Sequence, residues 1–142
     1  MIILDTNVVA ETMKPEPDPI VLGWFDLHDR STLFITAITQ MEILIGVALL
    51  PHGKRKRALE ESAEGLFRVE FEDRILPFDS EAARRCAHLL ASRRAAGRPI
   101  SQSDAQIAAI AQANSASLAT RNVRDFTHCG LEILNPWNAH RQ

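Results

Sequence analysis

Five short apolar runs, each separated from the next by a helix-forming or polar stretch, limit what this 142-residue chain can fold into. Ile2-Ile3-Leu4 opens the series and stops at Asp5. Leu33-Phe34-Ile35-Thr36 follows, then a strand within Arg74 to Phe78, then Ser117-Leu118-Ala119-Thr120 and Leu131-Glu132-Ile133-Leu134. After a connection holding Pro15, Pro17 and Pro19, helices are predicted at about 20–28, 39–50, 54–67 and 80–96, and from a Ser101 or Ser103 cap to about 114. Gly97 and Pro99 stop the fourth of these. Short apolar strands that alternate with helices imply βαβ units and a parallel sheet covered on both faces. In such sheets, ligands bind outside the carboxyl ends of the strands.

Composition narrows the class. At 46% hydrophobic and 24% charged residues, the chain reads as one globular domain, 1–142. Two cysteines, Cys86 and Cys129, make neither a disulfide framework nor a four-cysteine zinc site. The longest apolar stretch, Ile43 to Leu50, is too short to span a bilayer, and no basic-then-apolar leader is visible. No membrane association and a reducing cytoplasm are the expectations.

The net charge of −2 hides an asymmetry. Residues 1–73 hold thirteen acids and seven bases; residues 74–142 hold five acids and nine bases. Arg84, Arg85, Arg93, Arg94 and Arg98 fall in one predicted helix. On a helical wheel Arg84, Arg94 and Arg98 share an arc of roughly 80°. Such a face suits phosphate, and equally a solvated surface. Lys54-Arg55-Lys56-Arg57, followed by Glu60, Glu61 and Glu64, reads as i,i+4 pairing on an exposed helix.

Three acids stand out. Asp5 projects from the carboxyl end of the first strand, where it also suits a turn or a helix cap. Glu42 opens a helix that is apolar nearly all round, and Thr39-Gln40-Met41-Glu42 has capping-box form. Asp104 starts an Ala/Ile helix, with Ile107, Ala108 and Ala111 on its side. Each has an ordinary structural use. Together they belong to one edge of the sheet, with no lysine or arginine adjacent in sequence. Clustered carboxylates repel one another, and a divalent cation removes that penalty; oxygen donors suit Mg²⁺ or Mn²⁺. Zinc is disfavoured, because the five histidines show no paired spacing. Thr120-Arg121-Asn122-Val123-Arg124-Asp125-Phe126 adds a hydroxyl, an amide and a carboxylate at the same edge.

Ile3-Leu4-Asp5-Thr6-Asn7, Thr39-Gln40-Met41-Glu42, Asp104-Ala105-Gln106-Ile107-Ala108 and the 120–126 segment resemble, in order, the motifs of PIN-domain nucleases. The nearest likeness is to VapC toxins of toxin–antitoxin modules, FitB-like branch, whose ending Leu134-Asn135-Pro136-Trp137 also fits. The resemblance implies a three-layer α/β/α sandwich with a five-stranded parallel sheet in order 3-2-1-4-5. It implies an Mg²⁺- or Mn²⁺-dependent endoribonuclease that leaves 5′-phosphate ends. A homodimer or larger assembly, restrained by a VapB/FitA-like antitoxin, is implied as well. Asp5, Glu42 and Asp104 carry over as the metal-binding acids, with Thr6 and Thr120 as supporting hydroxyls. Many relatives have a fourth acid where this chain has Asn122; Asp125 either replaces it or is structural. Arg93, Arg94, Arg98, Arg121 and Arg124 are candidates for gripping RNA phosphates.

Two other readings stand beside this one. One is a non-catalytic binding module on the same scaffold. The other is a phosphohydrolase using Asp5 as nucleophile, disfavoured because haloacid-dehalogenase-like proteins usually carry a second Asp where Asn7 stands here. Trp24 and Phe25, in the helix after the prolines, suit either a partner surface or the core.

Overall fold

A computed structural model describes residues 1–141. The elements are β1 (Ile2–Leu4), α1 (Thr6–Thr12), α2 (Pro19–Asp26), β2 (Leu33–Thr36), α3 (Ala37–Ala48) and α4 (Lys54–Gly65). Then come β3 (Ile75–Leu76), α5 (Ser80–Ala95), α6 (Gln102–Ala113), β4 (Ser117–Ala119) and β5 (Ile133–Leu134). All strand pairs are parallel, in the expected order β3-β2-β1-β4-β5.

The strands alternate strictly, as a doubly covered sheet requires. Ile3, Phe34, Leu76, Leu118 and Ile133 face the layer of α5 and α6. Leu4, Leu33, Ile35, Ile75, Ala119 and Leu134 face the layer of α1, α2 and α4. Helix α3 contributes to both cores, through Ile38 and Ile43.

Helix α1 has no forecast in the periodicity. Thr6–Thr12 is poor in strong helix formers, yet Asp5 caps it and Val8 and Val9 are fully buried. Helix α3 starts two residues earlier than expected. Thr36 Oγ1 accepts the Thr39 amide at 3.1 Å, so Thr36 is the cap and Glu42 is the sixth residue of the helix. The capping-box expectation for Thr39 and Glu42 therefore fails. Nor is α3 buried all round: Met41, Leu44, Ile45 and Leu49 form an exposed apolar stripe.

The basic stretches also differ from expectation. Helix α5 ends at Ala95, and Gly97 takes a φ of +71° in the turn that follows. Arg98 lies beyond that turn, so it shares no helical face with Arg84 and Arg94. On α4, Glu64 pairs with Arg68 at 2.8 Å, while Lys56 donates to Ala48 O at the end of α3. Trp24 is 2% exposed and belongs to the core. Among the described residues, no helix is long and apolar enough to cross a membrane.

Candidate active site at the sheet switch point

The chain leaves β1 toward β2 on one side and returns to pair β4 on the other. The carboxyl ends of β1 and β4 therefore flank the switch point, where open α/β sheets bind ligands. Asp5 and Thr120 are the first residues past those two strands.

Asp5 is held on both oxygens. The Thr6 amide donates to Oδ1 at 2.8 Å, and the Thr120 hydroxyl donates to Oδ2 at 2.7 Å across the crevice. Thr120 in turn accepts the Asn122 amide at 3.0 Å, which folds the following loop back over the site. Asn7, which the sequence reading passed over, links the same parts: its Nδ2 lies 3.4 Å from both Asp5 Oδ2 and Thr120 Oγ1, and its Oδ1 accepts the Arg121 amide. An Asn two residues after the strand-end Asp is the signal that could have found it.

Glu42 is fixed by a hydroxyl relay. The Thr6 hydroxyl donates to Glu42 Oε1 at 2.8 Å and lies 2.9 Å from Thr39 Oγ1. Thr6 has one proton, committed to the carboxylate, so Thr39 is the donor in the second contact. Asp104 is in the first turn of α6, its amide held by the Ser101 cap at 3.2 Å.

These acids are electrostatically coupled. Burial pushes the Asp5 carboxyl up to about 6, with repulsion from Asp104 and Glu42 adding to it and the Thr120 and Thr6 hydrogen bonds opposing it. Burial also raises Asp104, helped by repulsion from Asp125 and Glu42. Asp5, Glu42 and Asp104 thus repel one another, and Asp104 also feels Asp125.

The donor set is all oxygen and mutually repulsive, which fits a hard divalent cation. Among the described residues no three His, Cys, Asp or Glu side chains form a ready-made cage.

The remaining sequence candidates separate. Asn122 enters through its backbone amide. Arg121 stacks over Trp137, 4.9 Å from the ring centroid. Arg94, Arg98 and Arg124 are exposed. Arg93 is occupied internally: its guanidinium donates to Arg98 O at 2.7 Å, Thr127 O at 3.0 Å and Asp125 O at 3.3 Å.

A parallel sheet in this order, with acids from separate segments gathered at its switch point, defines an α/β/α scaffold with an acidic site. The PIN domain family model matches residues 2–130, and the chain belongs to that family. It is 44% identical to the plasmid stability protein StbB of Pseudomonas syringae pv. tomato, over 98% of this chain and 100% of that one. To the VapC ribonuclease Y4jK of Sinorhizobium fredii it is 42% identical, covering 96% and 98%. The crystal structure of FitAcB from Neisseria gonorrhoeae superposes with a TM-score of 0.90 at 38% identity, covering 97% and 99%.

Proposed function

We propose that the chain is the toxin of a toxin–antitoxin pair, a metal-dependent endoribonuclease whose site is Asp5, Glu42 and Asp104. The observation that carries this is the mutual repulsion of those acids at the switch point, on a chain related to a VapC ribonuclease along nearly its whole length. Mg²⁺ or Mn²⁺ held through Asp5 and Asp104, with Glu42 completing the set, would screen phosphate charge and acidify a bound water. The residues supply the rest. Thr120 and the Thr6 amide orient Asp5; Thr6 engages one oxygen of Glu42 and so aims the carboxylate to accept a proton from the attacking water. Arg121 and Arg124, exposed on the loop after Thr120, would offset the repulsion between the acids and an RNA strand.

The test is end-mapping of RNA after incubation with the protein and Mn²⁺. The expected products carry 5′-phosphates; a phosphoenzyme on Asp5 would instead support the phosphohydrolase reading, and intact RNA the binding module.

Two surfaces extend this reading. A groove of about 1330 Å³ is lined by Thr6, Glu42, Met13, Leu22, Phe25 and Val47, and also by Arg30 with its ion-pair partner Glu70. An antitoxin segment with apolar side chains fits it and would cover the site mouth. The exposed stripe of α3 suits a second copy of the chain. Two variants separate these surfaces. Leu22→Glu should weaken antitoxin binding at least about tenfold and leave the chain dimeric. Ile45→Glu should give a monomer by sedimentation. A Leu22→Glu protein that still binds its antitoxin at full strength would remove the groove from the proposal.

A further inference from the structure

The end of α5, the turn into α6 and the loop after β4 meet at one side chain. Arg93 is in the last turn of α5. Its Nε donates to Arg98 O at 2.7 Å, which pins the turn that leads to Ser101 and Asp104. Its Nη1 donates to Thr127 O at 3.0 Å and Asp125 O at 3.3 Å, and lies 3.6 Å from Cys129 Sγ. The guanidinium therefore ties together the two segments that carry Asp104 and Asp125.

Other contacts hold the loop to itself and to the core, including the Asp125 amide to Asn122 O at 3.0 Å and the Thr127 hydroxyl to Arg124 O at 2.9 Å. Thr120 accepts the Asn122 amide at the start, Phe126 is sunk in the core, and Gln112 donates to Cys129 O at the far end. Among the described residues, only Arg93 bridges the carbonyl of Asp125 itself to the α5–α6 turn. A planar fork with several fixed donors can hold three carbonyls from two segments at once; a lysine ammonium has neither the span nor the Nε donor.

We propose that Arg93 is a positioning residue of the acidic site: it locks the Asp125 loop against the α5–α6 turn and so sets Asp125 against Asp104. The inference rests on the metal-dependent reading of that site. It removes Arg93 from the RNA-gripping candidates, because its donors are spent on the chain itself. It also gives Asp125 a task where Asn122 supplies no charge.

The test uses Arg93→Lys, which keeps the charge, and Arg93→Met, which does not. Mn²⁺ affinity is measured by calorimetry, and amide exchange is followed over residues 122–129. Cleavage kinetics are measured with salt titration, well below the melting temperature. Both variants should bind Mn²⁺ about tenfold more weakly. Both should exchange faster across the loop and lose kcat by tenfold or more, with KM within twofold and an unchanged salt slope. Adding Asp125→Asn to Arg93→Met should cost little more Mn²⁺ affinity than either change alone.

Three results would overturn the proposal. One is an Arg93→Lys protein with wild-type kcat and Mn²⁺ affinity. Another is a raised KM with a shallower salt slope, which would return Arg93 to the phosphates. The third is lower melting temperature with unchanged Mn²⁺ affinity, the mark of a mere strut. If the wild-type protein binds Mn²⁺ but cuts no RNA, the nuclease reading fails, while the Mn²⁺ affinities still decide the role of Arg93.

Discussion

Asp5→Asn should destroy cleavage and make the metal-free protein more stable. The loss of activity follows from position: Asp5 stands at the switch point between β1 and β4, and removing a metal-binding acid forfeits several kcal/mol of transition-state stabilisation, about 10³-fold or more in rate. The gain in stability follows from burial. Asp5 is 4% exposed, and its carboxyl is pushed from 3.8 up to about 6. A raised carboxyl pKa means that the folded state disfavours the charge. Above pH 6 the group is ionised in both folded and unfolded chains, and the fold bears the full penalty, up to about 3 kcal/mol. Between pH 6 and 3.8 the folded chain takes up a proton and the penalty fades; below 3.8 it is gone.

Asn at this position keeps an oxygen for the Thr6 amide, so the cap of α1 survives. At pH 7.5 in chelator, Asp5→Asn should melt about 5–10 °C above the wild type, and the two should coincide near pH 3.5. Scanning calorimetry across pH measures this. Equal melting temperatures at pH 7.5 would mean that Asp5 carries no strain.

That opposition between activity and stability is the part of the site the sequence did disclose. Asp5 and Asp104 stand where the strand-end and helix-start patterns put them, because both patterns are local. Glu42 was legible as a residue but not in its register. Thr39-x-x-Glu42 imitates a capping box, and only the backbone shows that Thr36 takes the cap and leaves Glu42 to Thr6. Helix α1 was hidden because Thr6, Val8, Val9 and Thr12 are weak helix formers; burial of the two valines in the core outweighs propensity. Asn7 and Arg93 had no periodicity to betray them. Their partners, Thr120 and the 125–127 carbonyls, lie far away in sequence and are brought near only by the return of the chain to β4. The strand order was implied by resemblance, whereas the alternation of Ile3 with Leu4 and Leu118 with Ala119 across the sheet follows from the sequence pattern and pleat geometry.

Withdrawal of divalent metal should abolish cleavage without unfolding the protein, and the stabilisation that metal confers should depend on pH in a stated direction. The two cores stand on apolar contacts from both helix layers, and the site acids contribute repulsion rather than cohesion, so chelation leaves the fold intact. Binding must compete with protons for Asp5, raised to about 6, and for Asp104, also raised. At pH 7.5 Asp5 is ionised and ready to coordinate, and millimolar Mn²⁺ should raise the melting temperature by an amount set by RT ln(1 + [L]/Kd), about 2.7 kcal/mol when metal exceeds Kd a hundredfold. As pH falls through 6, Asp5 takes up its proton in the folded chain, affinity drops, and the metal-induced shift shrinks. Below pH 5 it should be near zero while the metal-free protein still melts cooperatively. In Asp5→Asn the shift should be small at every pH, because a ligand is missing rather than protonated. A wild-type shift that is undiminished at pH 5 would place the ion on groups other than these acids. A shift equally large in Asp5→Asn would say the same.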